Sequence, residues 1–429
     1  MIKKVLVINK YHFISGGAER YFLSILEALR RRGIETIPLS VNYKRTLPTP
    51  YQKYFLEPVG AGEKAKIRDQ KFGLGDQWRL AKRAIWSAEA KEAVRRIWRD
   101  ERPDLAYLLN INNHLSPSVI DGAKQCGMPV VMRMSDFNLV CASSMYFRAG
   151  KTCTACKGGF HHAFVNRCVH GSVLKSGVAA LASAYYRTSG VYRKIDAFVT
   201  PSLFMRNDLI EQGFPAERIH QINTFVAPNE VCEPDLQNPY ILFHGRFIDY
   251  KGAGAAIQAF ARSRSASRVK LCLVGDEGDE DSVKLKELAA RTACENVIFF
   301  PFERDKAKLI RYIQGSLFTL VPSINFENLP HTILESFSCG RPVISTRLGS
   351  IPETVHDGEN GFLYDLGDLD GFAAKIDRLV EDRGLRESMG ENAYRAVRER
   401  YSEDAHVEKL IDVFEGVVSG AARERTVHA

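Results

Sequence analysis

The stretch from Val321 to Thr346, VPSINFENLPHTILESFSCGRPVIST, limits what this chain can fold into more than any other. An apolar run beginning at Leu317 ends at Val321-Pro322-Ser323 and reads as a strand, and Ile324 to Leu329 reads as a loop. Pro330 suits a first helical turn, where its missing N–H is not needed. Ile333, Leu334 and Phe337 then share one helical face, Gly340 ends the helix, and Val343-Ile344 is the next strand. In a parallel α/β domain such a loop lies at the carboxyl end of a strand, where ligands bind. Two carboxylates stand eight residues apart here, Glu327 in the loop and Glu335 in the helix. The helix start offers free N–H groups and a partial positive charge, which suit a phosphate. The carboxylates can accept hydrogen bonds from sugar hydroxyls. A nucleotide sugar has both parts.

At 429 residues the chain is too long for one core and suits two domains. It has no apolar run of about 18 residues, so no membrane-spanning helix is expected. The opening, MIKKVLVINKYHF, has only Val5 to Ile8 as an apolar core, too short for a signal peptide. The expectation is a cytoplasmic protein, with peripheral contact at the inner face of the membrane as a further option. Nine cysteines without an export signal should be mostly reduced. The net charge of +8 favours anionic partners: nucleotide phosphates, anionic lipid or an acidic glycan. No nucleic-acid partner is expected.

In chain order, Lys3 to Asn9 reads as a first strand, and Ser15-Gly16-Gly17-Ala18-Glu19 leads into a helix stopped by Gly33. Glycines between strand and helix let backbone N–H groups approach a ligand closely. The pair does not match G-x-G-x-x-G, so no dinucleotide site is read from it. Residues 61–100 carry 11 Lys/Arg against 6 Asp/Glu, together with Trp78, Trp86 and Trp98. Such a region either docks on an anionic membrane or packs its tryptophans inward. His114 sits in a polar loop after the strand Pro103 to Leu109, placed for a contact to a substrate hydroxyl or simply solvated. Cys141, Cys153-x-x-Cys156 and Cys168 offer four sulfurs to one tetrahedral, structural zinc. Reduced buried thiols and disulfide or redox chemistry are the other readings. In the second half, Arg246 and Lys251 flank a βα turn, and two cations beside a helix start can hold a diphosphate. The loop Pro301 to Arg304 is placed to border a base.

The spacing E-x7-E followed by CGRPVIST resembles the retaining glycosyltransferases of family 4, and ENLPHTILES is similar to their polysaccharide-assembly members. The loop GGAER and the G-R-x4-K-G pattern from Gly245 to Gly252 resemble the family as well, so the likeness covers nearly the whole chain. It implies an α/β protein of the GT-B fold, two doubly wound Rossmann-like domains facing a cleft. The expected boundaries are an acceptor-side domain over 1–226 with a cysteine insertion at 141–170, a linker over 227–239, a nucleotide-sugar domain over 240–398, and a helix over 399–420 crossing back to the first domain. The implied activity is transfer from a UDP- or GDP-sugar to a hydroxyl of a glycan or lipid-linked glycan, in cell-surface polysaccharide biosynthesis, with retention and with no cofactor needed for catalysis. Arg246 and Lys251 would neutralise the leaving diphosphate, Glu335 would hold the ribose, and Glu327 would face the donor sugar beside Asn328, Leu329 and Pro330. Gly16 and Gly17 would border the diphosphate, and His114 would steady the sugar from across the cleft. Asp279-Glu280-Asp281 imitates the metal-binding D-x-D of another glycosyltransferase fold and reads as a solvated helix start. Two positions depart from the pattern. Ser135-Asp136 stands where members often carry His-Asp, and Ser350 stands where a second glycine is usual. A non-catalytic nucleotide- or glycan-binding protein on the same fold is the alternative.

Overall fold

Val5, Leu6, Val7 and Ile8 are completely buried, as a strand covered by helices on both faces demands. In the computed structural model, which describes residues 1–60, 73–112, 114–275, 280–292, 295–303 and 305–427, this run is β1 (Lys4–Tyr11). Arg304, residue 279 of the D-x-D look-alike and the segment 61–72 of the basic region lie outside the described residues.

The first domain continues with α1 (Gly17–Arg31), β2 (Glu35–Val41), α2 (Leu74–Ile85), α3 (Ala88–Glu101), β3 (Leu105–Leu108), α4 (Ser118–Gln125) and β4 (Val130–Arg133). A small hairpin of β5 (Phe147–Arg148) and β6 (Lys151–Thr152) follows, then α5 (His161–Val165), α6 (Val173–Thr188), β7 (Ala197–Thr200), α7 (Leu203–Glu211) and β8 (Ile219–Gln221). Six strands pair in parallel in the order β2-β1-β3-β4-β7-β8. The second domain runs β9 (Tyr240–His244), α8 (Ala253–Arg262), β10 (Lys270–Gly275), α9 (Glu280–Arg291), β11 (Val297–Pro301), α10 (Lys306–Gly315), β12 (Thr319–Val321), α11 (His331–Ser338), β13 (Val343–Thr346), β14 (Gly361–Tyr364), α12 (Leu369–Glu381) and α13 (Arg383–Arg400). Its sheet is again parallel, in the order β11-β10-β9-β12-β13-β14. Chain direction across each sheet switches once, between β1 and β3 and between β9 and β12. The loops after these four strands therefore border the crevices where ligands of such sheets bind.

The last helix, α14 (Glu403–Val427), returns to the first domain. Val407, Leu410, Val413 and Phe414 share a core there with Phe22, Ile25 and Tyr107, and Arg31 and Arg32 pair with Glu403 and Asp404 at 2.5 and 2.6 Å. The expected bounds 399–420 shift, because residues 399 and 400 complete α13 and the new helix starts after Ser402, whose hydroxyl accepts from the Ala405 N–H. Residues 227–239 are not a free-standing linker. Asn229 N donates to Ser338 O at 2.9 Å, Gln314 Nε2 to Glu230 O at 2.7 Å, and Asp235 N to Gly315 O at 2.9 Å. Without a ladder of their own, these backbone groups find partners on the second domain. The tryptophans divide: Trp86 and Trp98 pack on the first-domain core, whereas Trp78 is exposed. Among the described residues no helix is long and apolar enough to cross a membrane.

Among the buried histidines are His114, His244 and His406. Burial pushes their pKa values down from 6.5, to about 3, about 4 and about 3. Below pH 6.5 the unfolded chain takes up protons that the fold refuses, so stability is full above that pH and falls as the pH drops toward the folded values. The slope approaches roughly 1.4 kcal/mol per pH unit for each histidine. The apparent thermal midpoint should therefore fall between pH 7 and pH 5, and His406→Asn should flatten that fall. A midpoint unchanged over this range would contradict the assignment.

Candidate functional site

After β9 the chain turns through Arg246 to Gly252, where α8 starts. Gly252 has φ 77°, and a Cβ there would lie 1.8 Å from the carbonyl oxygen of Pro322. Glycine thus lets this turn close against the loop after β12. The closure brings Lys251 Nζ within 2.6 Å of Glu327 Oε1, and Ser323 Oγ donates to the same oxygen at 2.7 Å. Arg246 is exposed, donating to the Tyr250 hydroxyl at 2.8 Å.

Ser350 holds the Glu327 loop from behind. Its hydroxyl donates to Glu327 O at 2.7 Å and accepts from Leu329 N at 2.7 Å. Leu329 has φ 74°, a left-handed backbone that a non-glycine residue keeps only when its surroundings enforce it. The departure at Ser350 therefore adds two hydrogen bonds that a glycine could not make. Leu329 buries its side chain with Leu334 and Tyr401, and Pro330 caps α11 in an extended conformation rather than entering its first turn.

Glu335 is buried in α11. Its Oε1 accepts from Arg20 Nη1 at 3.0 Å, and its Oε2 lies 3.8 Å from His244 Nδ1. Burial raises the carboxyl pKa and the charge of Arg20 opposes the rise. Gly16 precedes α1 as its cap, and Gly17 lies where an added Cβ would come within 3.0 Å of the His331 ring. The GGAER loop of the first domain therefore meets the N-terminus of α11. Burial pushes His331 down to about 3, helped by Arg133, Arg20, Lys306 and Lys251. These four cations act on the helix start, two of them paired with Glu335 and Glu327, and a helix start under positive charge suits an anion. The sequence reading had only Lys251 among them.

The Asn328 side chain bonds to the first domain. Its Nδ2 donates to Met134 O at 3.0 Å and its Oδ1 accepts from Ser202 Oγ at 2.8 Å, so the side chain ties the two domains together. Leu329 contributes backbone rather than side chain. Glu353, unassigned from sequence, accepts the N–H groups of Leu203 and Phe204 at 2.7 and 2.6 Å, at the start of α7. Phe326 stands between the rings of Phe204 and Tyr146, at 5.1 and 6.2 Å.

His114 is not a solvated loop histidine. It is buried beside the rings of Tyr11 and Tyr43, at 6.0 and 6.1 Å, and its Nδ1 has no hydrogen-bond partner among the described residues. Lys10 acts electrostatically on His114, on Glu19, whose pKa burial raises, and on Asp136, which burial pushes up to about 6. Arg246 also acts on Glu19 across the cleft. Sequence reasoning had His114 from this first-domain set but missed Lys10, at the carboxyl end of β1, and Glu19, in the first turn of α1.

The four cysteines Cys141, Cys153, Cys156 and Cys168 lie near one another, each within electrostatic reach of another of the set. Among the described residues no group of three or more His, Cys, Asp or Glu side chains is arranged to hold a metal ion. The neighbouring Cys156 thiol, Ser143 and the N–H groups of Tyr146 and Met145 push the Cys141 thiol below its usual range. All four are free thiols.

Residues 16–224 match the family described as glycosyl transferase 4-like domain, and residues 230–396 match glycosyl transferases group 1. A lipopolysaccharide core biosynthesis glycosyltransferase of Rhizobium meliloti is 29% identical over 221 residues, 50% of this chain and 62% of that protein. A capsular polysaccharide biosynthesis glycosyltransferase of Staphylococcus aureus is 26% identical over 222 residues, 50% of this chain and 57% of that protein. The match thus spans less than two thirds of the length of these relatives. Among solved structures, sucrose-phosphate synthase from Thermosynechococcus elongatus superposes with a TM-score of 0.70 at 15% identity, covering 97% of this chain and 100% of that one. Anabaena HepE, in complex with UDP and glucose, gives 0.66 at 18% identity over 96% and 100%. These likenesses show the fold, two Rossmann-like domains in the GT-B arrangement.

Proposed function

The chain belongs to the family 4, group 1 glycosyl transferases, and from that premise we propose that it moves a sugar from a nucleotide-diphosphate sugar to a hydroxyl of a glycan or lipid-linked glycan. The reading includes retention at the anomeric carbon, no catalytic metal, and a place in cell-surface polysaccharide biosynthesis on the cytoplasmic side of the membrane. One observation carries it: Lys251 pairs with Glu327 in the loop before α11, while Glu335 within α11 pairs with Arg20 of α1, the helix that the glycines open.

In this reading the diphosphate lies against the α11 N-terminus, with Lys251 and Arg246 matching the charge that grows as the bond to the anomeric carbon breaks. Glu335 accepts hydrogen bonds from the ribose hydroxyls and Glu327 faces the donor sugar. Gly16 and Gly17 leave room for the diphosphate, with the Gly17 N–H as a donor, and His114, held neutral by burial, steadies the sugar from the first domain. The acceptor hydroxyl attacks from the face the diphosphate leaves and gives its proton to a diphosphate oxygen, so no carboxylate nucleophile is required. UDP- and GDP-sugars both suit this chemistry, and the UDP held by the Anabaena protein of the same fold favours testing uridine donors first.

The test is release of nucleoside diphosphate from a panel of UDP- and GDP-sugars, followed by the anomeric configuration of the product. The expected result is release from one donor and a product of the donor's own configuration. Tight donor binding with no release on any acceptor would favour a non-catalytic binding protein, and an inverted product would remove the retaining mechanism.

A further inference from the structure

Helix α6 turns its large apolar side chains the wrong way. Its buried positions hold Ser176, Ala180, Ala182 and Tyr186, mostly small residues, while Leu174 and Leu181 are each 68% exposed and Tyr185 stands outside with them. Residues 174, 181 and 185 follow i, i+7, i+11, which is one stripe along a helix. The stripe continues onto α5, where Phe164 and Val165 are exposed and the Phe164 ring lies beside Gly177 of α6, 3.3 Å from where a Cβ would be. Trp78 of α2, the helix beside α6, is 72% exposed. A single exposed leucine needs no explanation, but a row of them across three helices marks a contact surface.

The charge around this row identifies its partner. From residue 137 to residue 195 the sequence contains no aspartate or glutamate and eight lysines and arginines. Lys157 and Lys194 are taken up by ion pairs with Asp208, Glu211 and Asp121. Arg167, Lys175 and Arg187, which flank the apolar row, make no ion pair among the described residues. At the end of α6 a cavity of about 370 Å³ is lined by Arg187, Arg193 and Arg218 with tyrosines, and by no carboxylate. A second copy of this chain would bring two basic faces together against their repulsion. A bilayer with anionic headgroups matches both the apolar row and its basic rim.

We propose that the face formed by α2, α5 and α6 docks on an anionic membrane surface. Helix α6 lies in the interfacial plane, Leu174, Leu181 and Phe164 enter the acyl boundary, and Arg167, Lys175 and Arg187 sit at phosphate level. This differs from docking through the tryptophan-bearing region, since Trp86 and Trp98 face the core. It also stands without the transfer reaction proposed above.

The test is flotation of the full chain with vesicles of phosphatidylcholine and phosphatidylglycerol, and with phosphatidylcholine alone. The wild-type chain should float with the anionic vesicles only, and added salt should weaken binding. Leu174→Glu combined with Leu181→Glu should lower the bound fraction at least about tenfold while leaving the thermal midpoint unchanged, since both positions are exposed. The proposal is overturned if the wild-type chain ignores anionic vesicles or if the double variant binds them as well as wild type. It is equally overturned if sedimentation shows a dimer that the double variant dissociates.

Discussion

Lys251→Ala should lower turnover by roughly 10²–10³-fold, the loss expected when one preorganised charge is taken from a developing anion. The structure gives the residue two duties. Its ammonium group pairs with Glu327 at 2.6 Å, and it is one of the four cations around the start of α11. An incoming diphosphate would share Lys251 with Glu327, so the ion pair stores the cation at the place where the charge develops. Arg246→Ala should show a loss of the same order with less effect on its surroundings, because Arg246 is exposed and among the described residues its hydrogen bond goes to the Tyr250 hydroxyl. Arg246→Ala should unfold close to the wild-type temperature because the residue is exposed, whereas Lys251→Ala leaves the part-buried Glu327 carboxylate without its cation and should lower the midpoint. Turnover within twofold of wild type for both would remove the diphosphate assignment.

Glu335→Ala should act on affinity instead. Losing hydrogen bonds to a charged group costs about 1.5–3 kcal/mol, so the donor dissociation constant should rise roughly 10- to 100-fold with turnover at saturation little changed. Calorimetry with the donor identified above would measure it. The Arg20 contact adds a second expectation, because Glu335 reaches across the cleft to α1. Arg20→Ala leaves a buried carboxylate without its cation, so it should weaken donor binding too. The double variant should lose less than the two single losses combined, as residues in direct contact do. Glu327→Ala, by contrast, should mainly lower turnover. If Glu335→Ala lowered turnover and Glu327→Ala weakened donor affinity, the two roles would have to be exchanged.

Local pattern was enough for much of this protein. The strand-loop-helix-strand unit from 317 to 346 is visible because apolar periodicity and a proline are local signals, and β12, α11 and β13 follow it closely. The Arg246–Lys251 turn was legible for the same reason: Gly252 marks a backbone that only a residue without Cβ fits. Spacing also placed Glu327 and Glu335 in one site. It could not say what they touch. Lys251 and Glu327 are 76 residues apart within the second domain, Arg20 and Glu335 are 315 apart and meet across the two domains, and no period in the sequence encodes either approach. Asn328 looked like a ligand contact because it lies in the right loop, yet the first domain supplies Met134 and Ser202 to both ends of its amide. The cysteines had a metal-like spacing, and only folding shows that Cys141 and Cys156 are neighbours. The outward leucines of α6 show the limit most plainly. A helix reads as amphipathic from sequence, but which of its faces is inside depends on what the rest of the chain packs against it. Sequence determined the elements and the site's chemical groups, because both are local. Tertiary structure decided partners, burial and facing, because those follow from how two sheets and their helices cover one another.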